Sequence, residues 1–71
     1  MNALDVWLRF SDDGDDEAEA EANTYLVDGQ YRVSWCLTAV GLVKYSPCFG
    51  TYREACAWLE AEGFQDYTVN D

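Results

Sequence analysis

The chain contains no histidine, only four basic residues, one proline and one methionine among its seventy-one residues. Without histidine it lacks the commonest general base, the usual partner of a serine or cysteine nucleophile, and the commonest metal ligand. Its three cysteines, Cys36, Cys48 and Cys56, are scattered and odd in number, with no Cys-x-x-Cys spacing. They form neither a disulfide framework nor a zinc site, so three free thiols in a reducing compartment are expected. The opening MNALDVWLRF has no basic segment and carries charges inside its apolar run, unlike a secretory signal. No apolar run approaches the roughly 20 residues that span a bilayer. A cytoplasmic protein is therefore expected.

Five dispersed glycines make no phosphate-binding loop. Asp12-Asp13-Gly14-Asp15 does not fit the register of a calcium loop, which needs oxygen ligands at positions 1, 3 and 5 and glycine at 6. No metal and no cofactor is expected. The carboxylates cluster in a solvated stretch where nothing would shift a pKa, so no catalytic role follows and no enzyme is expected.

What the chain does have is acid. Fourteen Asp and Glu give a formal net charge of −10. Such a chain is repelled by nucleic-acid phosphates and by anionic membranes, and its natural complement is a basic protein. Half of the acids, Asp12, Asp13, Asp15, Asp16, Glu17, Glu19 and Glu21, fall in residues 12–21 without a single base. Residues 11–23 read as an acidic loop or a frayed one-to-two-turn helix. The alanines favour helix, whereas Glu17 and Glu21 repel at i, i+4 and no apolar stripe would dock it. A solvated linker is the bland reading of such a run.

The clearest element is Thr51 to Phe64. Thr51 with Glu54 makes a capping box, Gly63 suits the left-handed end of a helix, and Phe64 can fold back on Leu59. Tyr52, Ala55, Cys56 and Leu59 fall on one apolar face, with Trp58 flanking it. Upstream, residues 3–10 alternate, which predicts a strand with Leu4, Val6, Leu8 and Phe10 toward the core and Trp7 on the outer face. Asp28-Gly29 predicts a type I′ hairpin joining strands at 24–27 and 30–38, with Tyr31, Val33, Trp35 and Leu37 on one face. Leu42 to Tyr45 reads as a short strand that ends near Pro47, and Asp66 to Val69 as a short C-terminal strand.

The whole predicts a single α+β domain over residues 1–71: a small antiparallel sheet of about four strands with one amphipathic helix on one face. One helix leaves the other sheet face open. Trp7 and Tyr25 are expected there, and an exposed aromatic patch beside acids has the composition of a protein interface. In size and acidity the chain resembles small phage-borne inhibitors, among them anti-CRISPR proteins and other DNA mimics; the resemblance is one of general character and carries no motif. It implies a non-catalytic inhibitor that blocks a CRISPR effector or another nuclease in the host cytoplasm. Asp12, Asp13, Asp15, Asp16, Glu17, Glu19 and Glu21, with Trp7 and Trp58, are the candidate contact residues, and Glu54, Glu60, Glu62 and Asp66 form a second acidic set. The competing reading is an adaptor that homodimerises or pairs through its open sheet.

Overall fold

The structure, a computed structural model, describes residues 2–11 and 17–68. Asp12, Asp13, Asp15, Asp16 and Val69 lie outside the described residues. The elements are β1 (Trp7–Phe10), β2 (Ala18–Val27), β3 (Gln30–Leu37), β4 (Leu42–Tyr45), α1 (Tyr52–Ala61) and β5 (Gln65–Asp66). They form the α+β domain predicted, with a five-stranded antiparallel sheet in the order β4-β3-β2-β1-β5. Strands β1 to β4 are a meander. The helix then carries the chain from one edge of the sheet to the other, where β5 pairs with β1. Among the described residues no helix is long and apolar enough to cross a membrane.

Local codes set the two best-defined features. Asp28 and Gly29 both take positive φ (51° and 79°), the pair of left-handed residues that a type I′ turn requires. That turn places Val27 opposite Gln30, so Leu26 meets Tyr31 and Thr24 meets Val33. At the helix start the Thr51 hydroxyl accepts from the Glu54 amide (3.2 Å) and donates to the Glu54 carboxylate (3.1 Å). At its end Gly63 sits at φ 90°. The Phe64 amide donates to Leu59 O (2.9 Å) and the Gly63 amide to Glu60 O (3.0 Å). These two bonds are the Schellman pair, and they turn Phe64 into the core.

The core lies between the helix and one sheet face: Trp7, Ala20, Ala22, Val33, Ala55, Leu59 and Phe64 are buried, with Tyr31, Trp35, Leu37, Phe49, Cys56 and Trp58 packed around them. The structure departs from the sequence pattern in two places. The first is the facing of β1. Trp7 is 3% exposed, whereas Leu4 is 46% and Val6 36% exposed, and Leu8 and Phe10 are only half-buried. The inward set is therefore Asp5, Trp7 and Arg9. Residues 6–10 are apolar on both faces, so alternation alone does not set the phase, and an indole offers more area to bury than a leucine. Arg9 can face the helix because its stem packs beside Gly63 and its guanidinium stands over the Phe64 ring (5.0 Å) and the Trp35 ring (5.6 Å).

The second correction concerns residues 17–23. Residues 18–23 are neither loop nor helix but the first part of β2, paired with both β1 and β3. Glu and Ala alternate there with period two. Ala20 and Ala22 enter the core, while Glu19 and Glu21 stay exposed. Burial of the alanine face and two ladders of backbone bonds outweigh the helix propensity of Ala and Glu.

One buried polar group lacks a reason to be polar. Thr24 is fully buried, and among the described residues its hydroxyl has no hydrogen-bond partner. An unmade buried hydrogen bond costs about 1–3 kcal/mol. Thr24→Val keeps the shape and removes that cost, so the thermal midpoint should rise, by the equivalent of about 1 kcal/mol. A lower midpoint would show that the hydroxyl is satisfied.

Candidate functional site

The site is built by subtraction, from where the few cations go. Arg9 stacks on Trp35 and Phe64. Arg32 stands over the Tyr45 ring (5.2 Å), and its Nε donates to Ser46 O (3.2 Å). The Lys44 ammonium lies over the Trp35 ring (5.4 Å). Three of the four bases are thus held on aromatic rings of the sheet. Among the described residues the one ion pair is Arg9 Nε with a Glu19 carboxylate oxygen, at 3.7 Å. Glu17, Glu21, Asp28, Glu54, Glu60, Glu62 and Asp66 are exposed.

Some of these acids converge. The end of β1, the start of β2 and the C-terminus of α1 meet at one end of the described structure. Arg9 marks the junction, reaching Glu19 on β2 and donating from Nη1 to Glu62 O (3.3 Å) past the end of the helix. Ser11 and Glu17, which flank the acidic segment 12–16, belong to the same end, since Phe10 pairs with Ala18. A helix C-terminus already carries partial negative charge and favours cations. Here the last turn holds no basic residue, and Glu60 and Glu62 stand there instead. This arrangement opposes folding by about 0.3–1 kcal/mol for each misplaced charge. Arg9 is the base that meets this end of the helix, through the Glu62 carbonyl.

Trp7 does not join this surface; it is core. Trp58 is half-buried, its ring against Phe49 (centroids 6.4 Å apart) and packed on the core, so at most one edge of it is offered to a partner. Tyr25 does lie half-buried on the uncovered sheet face, as the alternation with Leu26 predicts. There Tyr25, Val27, Gln30, Arg32, Ser34 and Tyr45 line an open groove of about 570 Å³. At the other side of this face Tyr67 packs edge-on against Phe10 (5.7 Å) and partly covers it.

A polar cluster that sequence reasoning missed is buried beneath the helix start. Asp5 is 3% exposed; its carboxylate accepts from the Thr24 amide (2.6 Å) and from the Tyr52 hydroxyl (2.6 Å). Burial, then the hydrogen bond to Asp5 and its charge, push the Tyr52 phenol well above the ordinary tyrosine range. Burial likewise raises the Cys56 thiol, with the Tyr52 hydrogen bond opposing the shift. Cys56 is half-buried and free, and among the described residues no base stands beside it. The cluster is closed by protein groups and serves to tie the N-terminal segment to the helix. Its only sequence signal is an acid, Asp5, in phase with Trp7.

Among the described residues no group of three or more His, Cys, Asp and Glu is placed to hold a metal ion. No family model, no curated protein and no solved structure matches this chain.

Proposed function

We propose that this chain is a non-catalytic inhibitor that occupies the basic, nucleic-acid-binding surface of a protein such as a CRISPR effector or another nuclease. Its carboxylates stand where phosphates would stand. The observation that carries the reading is the end of the fold around Arg9. Arg9 joins Glu19 on β2 to the helix C-terminus, whose last residues include Glu60 and Glu62 and no base, while Arg32 and Lys44 stack on rings elsewhere. Asp12, Asp13, Asp15 and Asp16 add four more charges to the chain between Ser11 and Glu17. Charge placed against local stability is the pattern expected where a surface serves a partner. Long-range attraction would steer the two proteins together, and the contact would weaken as salt screens it.

The test uses the immobilised chain, a bacterial lysate, and elution with duplex DNA. Proteins retained through the acidic end should be released by DNA and by salt. Changing Asp12, Asp13, Asp15 and Asp16 to Asn and Glu17, Glu60 and Glu62 to Gln should lower their affinity more than tenfold. The same changes should leave the far-ultraviolet spectrum intact and raise the thermal midpoint slightly, because they relieve the helix C-terminus. Retention that ignores DNA and salt, or that survives neutralisation, would rule the proposal out.

A further inference from the structure

The charge of this chain is segregated along its sequence. Residues 29–53 contain Arg32, Lys44 and Arg53 and no acid, so they carry +3; the remainder carries −13. Those residues form β3, β4 and the passage into the helix, and β4 is one edge of the sheet. Charge is therefore graded across the width of the sheet: β3 and β4 carry no carboxylate, and Asp28 and Glu54, from the hairpin tip and the first turn of the helix, lie toward the Tyr45 end of that edge.

That edge is also open. All four residues of β4 are exposed, including Leu42, Val43 and Tyr45, and among the described residues nothing pairs with its outer side. The ladder shows which backbone groups it offers. On β3 the odd-numbered residues bond toward β4: Tyr31 exchanges bonds with Phe49 (2.7 and 2.8 Å), and the Ser46 amide donates to Val33 O (2.9 Å). In an antiparallel ladder the bonded pairs alternate, so Trp35 with Lys44 and Leu37 with Leu42 are the next ones inward. The amides and carbonyls of Val43 and Tyr45 consequently point away from the sheet. A lysine on an edge strand ordinarily discourages pairing. Here the Lys44 ammonium is drawn onto Trp35 on the helix side.

We propose that β4 is a homodimerisation edge, to which a second copy adds its own β4 antiparallel, joining two five-stranded sheets into one. The occupant follows from the charges. Two copies at −10 each repel in most approaches, but this one brings the two acid-free strands together and keeps the ends marked by Arg9 apart. With the two-fold axis at Val43, the two valines pair and each Lys44 lies opposite a Leu42, so the ammonium groups do not face each other. The acidic end described above stays free, and the inference does not depend on its function.

Light scattering over a rising concentration series tests this. The apparent mass of the wild-type chain should climb from one chain toward two, and added salt should favour the dimer by screening the residual repulsion. Val43→Pro removes an outward amide that the fold itself does not use and should hold the mass at one chain. Val43→Asp, which leaves the backbone donor in place, should do the same by adding charge at the seam. Circular dichroism with an unchanged thermal midpoint at low concentration shows that either variant is folded. A wild-type mass of one chain at every concentration, or a dimer that survives both folded variants, would overturn the proposal.

Discussion

Replacing Trp7 with alanine should remove about half of the stability of the fold or more. The indole is among the most buried large groups, wedged with Ala20, Ala22, Leu59 and Phe64 between sheet and helix. Truncating a buried aromatic to alanine costs about 3–5 kcal/mol. A domain of this length has a total stability of roughly 4–11 kcal/mol at typical per-residue values, and so small a core has little in reserve. In a urea titration followed by circular dichroism, the midpoint should fall by half or more. Trp7→Phe should be much milder. It keeps most of the ring, and the Nε1–H that it removes has no hydrogen-bond partner among the described residues. A near-native midpoint for Trp7→Ala would return the indole to the surface and, with it, a role as a partner anchor.

Asp5→Ala should be the most damaging change of a charged residue. It strips the acceptor from the buried Thr24 amide and from the Tyr52 hydroxyl at once. A buried donor left unmade costs about 1–3 kcal/mol, and bonds to a charged acceptor sit at the upper end. The same residue's carbonyl accepts from Asn23 Nδ2 (2.8 Å), and the neighbouring Leu4 amide donates to Thr24 O (2.8 Å). The loss would therefore loosen the whole N-terminal segment. Asp5→Asn retains an acceptor oxygen and should fall between alanine and wild type.

Tyr52 gives this cluster a pH signature. Its folded pKa is raised, so its contribution is fully present below the ordinary tyrosine value of about 10. Above that value the unfolded chain releases the phenolic proton while the folded chain keeps it, and stability falls as pH rises. Denaturant midpoints measured from pH 8 to 11 should drop more steeply for wild type than for Tyr52→Phe. Parallel curves would mean that the hydroxyl is not held by Asp5.

How much of this was legible in the residues depends on the range of the interaction involved. The Asp28-Gly29 hairpin and the Thr51–Gly63 helix are written in neighbouring residues. Left-handed backbone at two adjacent positions, a hydroxyl three residues from the amide it caps, and a glycine where the helix must turn back all act within one turn of chain. Val33, Ala55 and Leu59 could be placed in the core because period two and period 3.6 each give one unambiguous apolar face there. The candidate site was legible only as composition. The run of acids is plain, but the link that Arg9 makes between Glu19 and the carbonyl of Glu62 joins residues more than forty positions apart.

The β1 and β2 strands mark the limit. Nothing local to WLRF says which face is inside, since Trp7 competes with Leu8 and Phe10. The alternating glutamates and alanines of residues 17–22 suit a helix as an isolated peptide. Each question was settled by a partner distant in the chain: β2 by two flanking strands that needed its small alanine face, and β1 by a core with room for an indole and donors for a carboxylate at Asp5. The acids show the same division. Amino-acid composition alone makes the protein acidic, with a net charge of −10. Only the strand order, by putting the acid-free residues 29–53 at one edge, turned an overall charge into a molecule with two unlike sides.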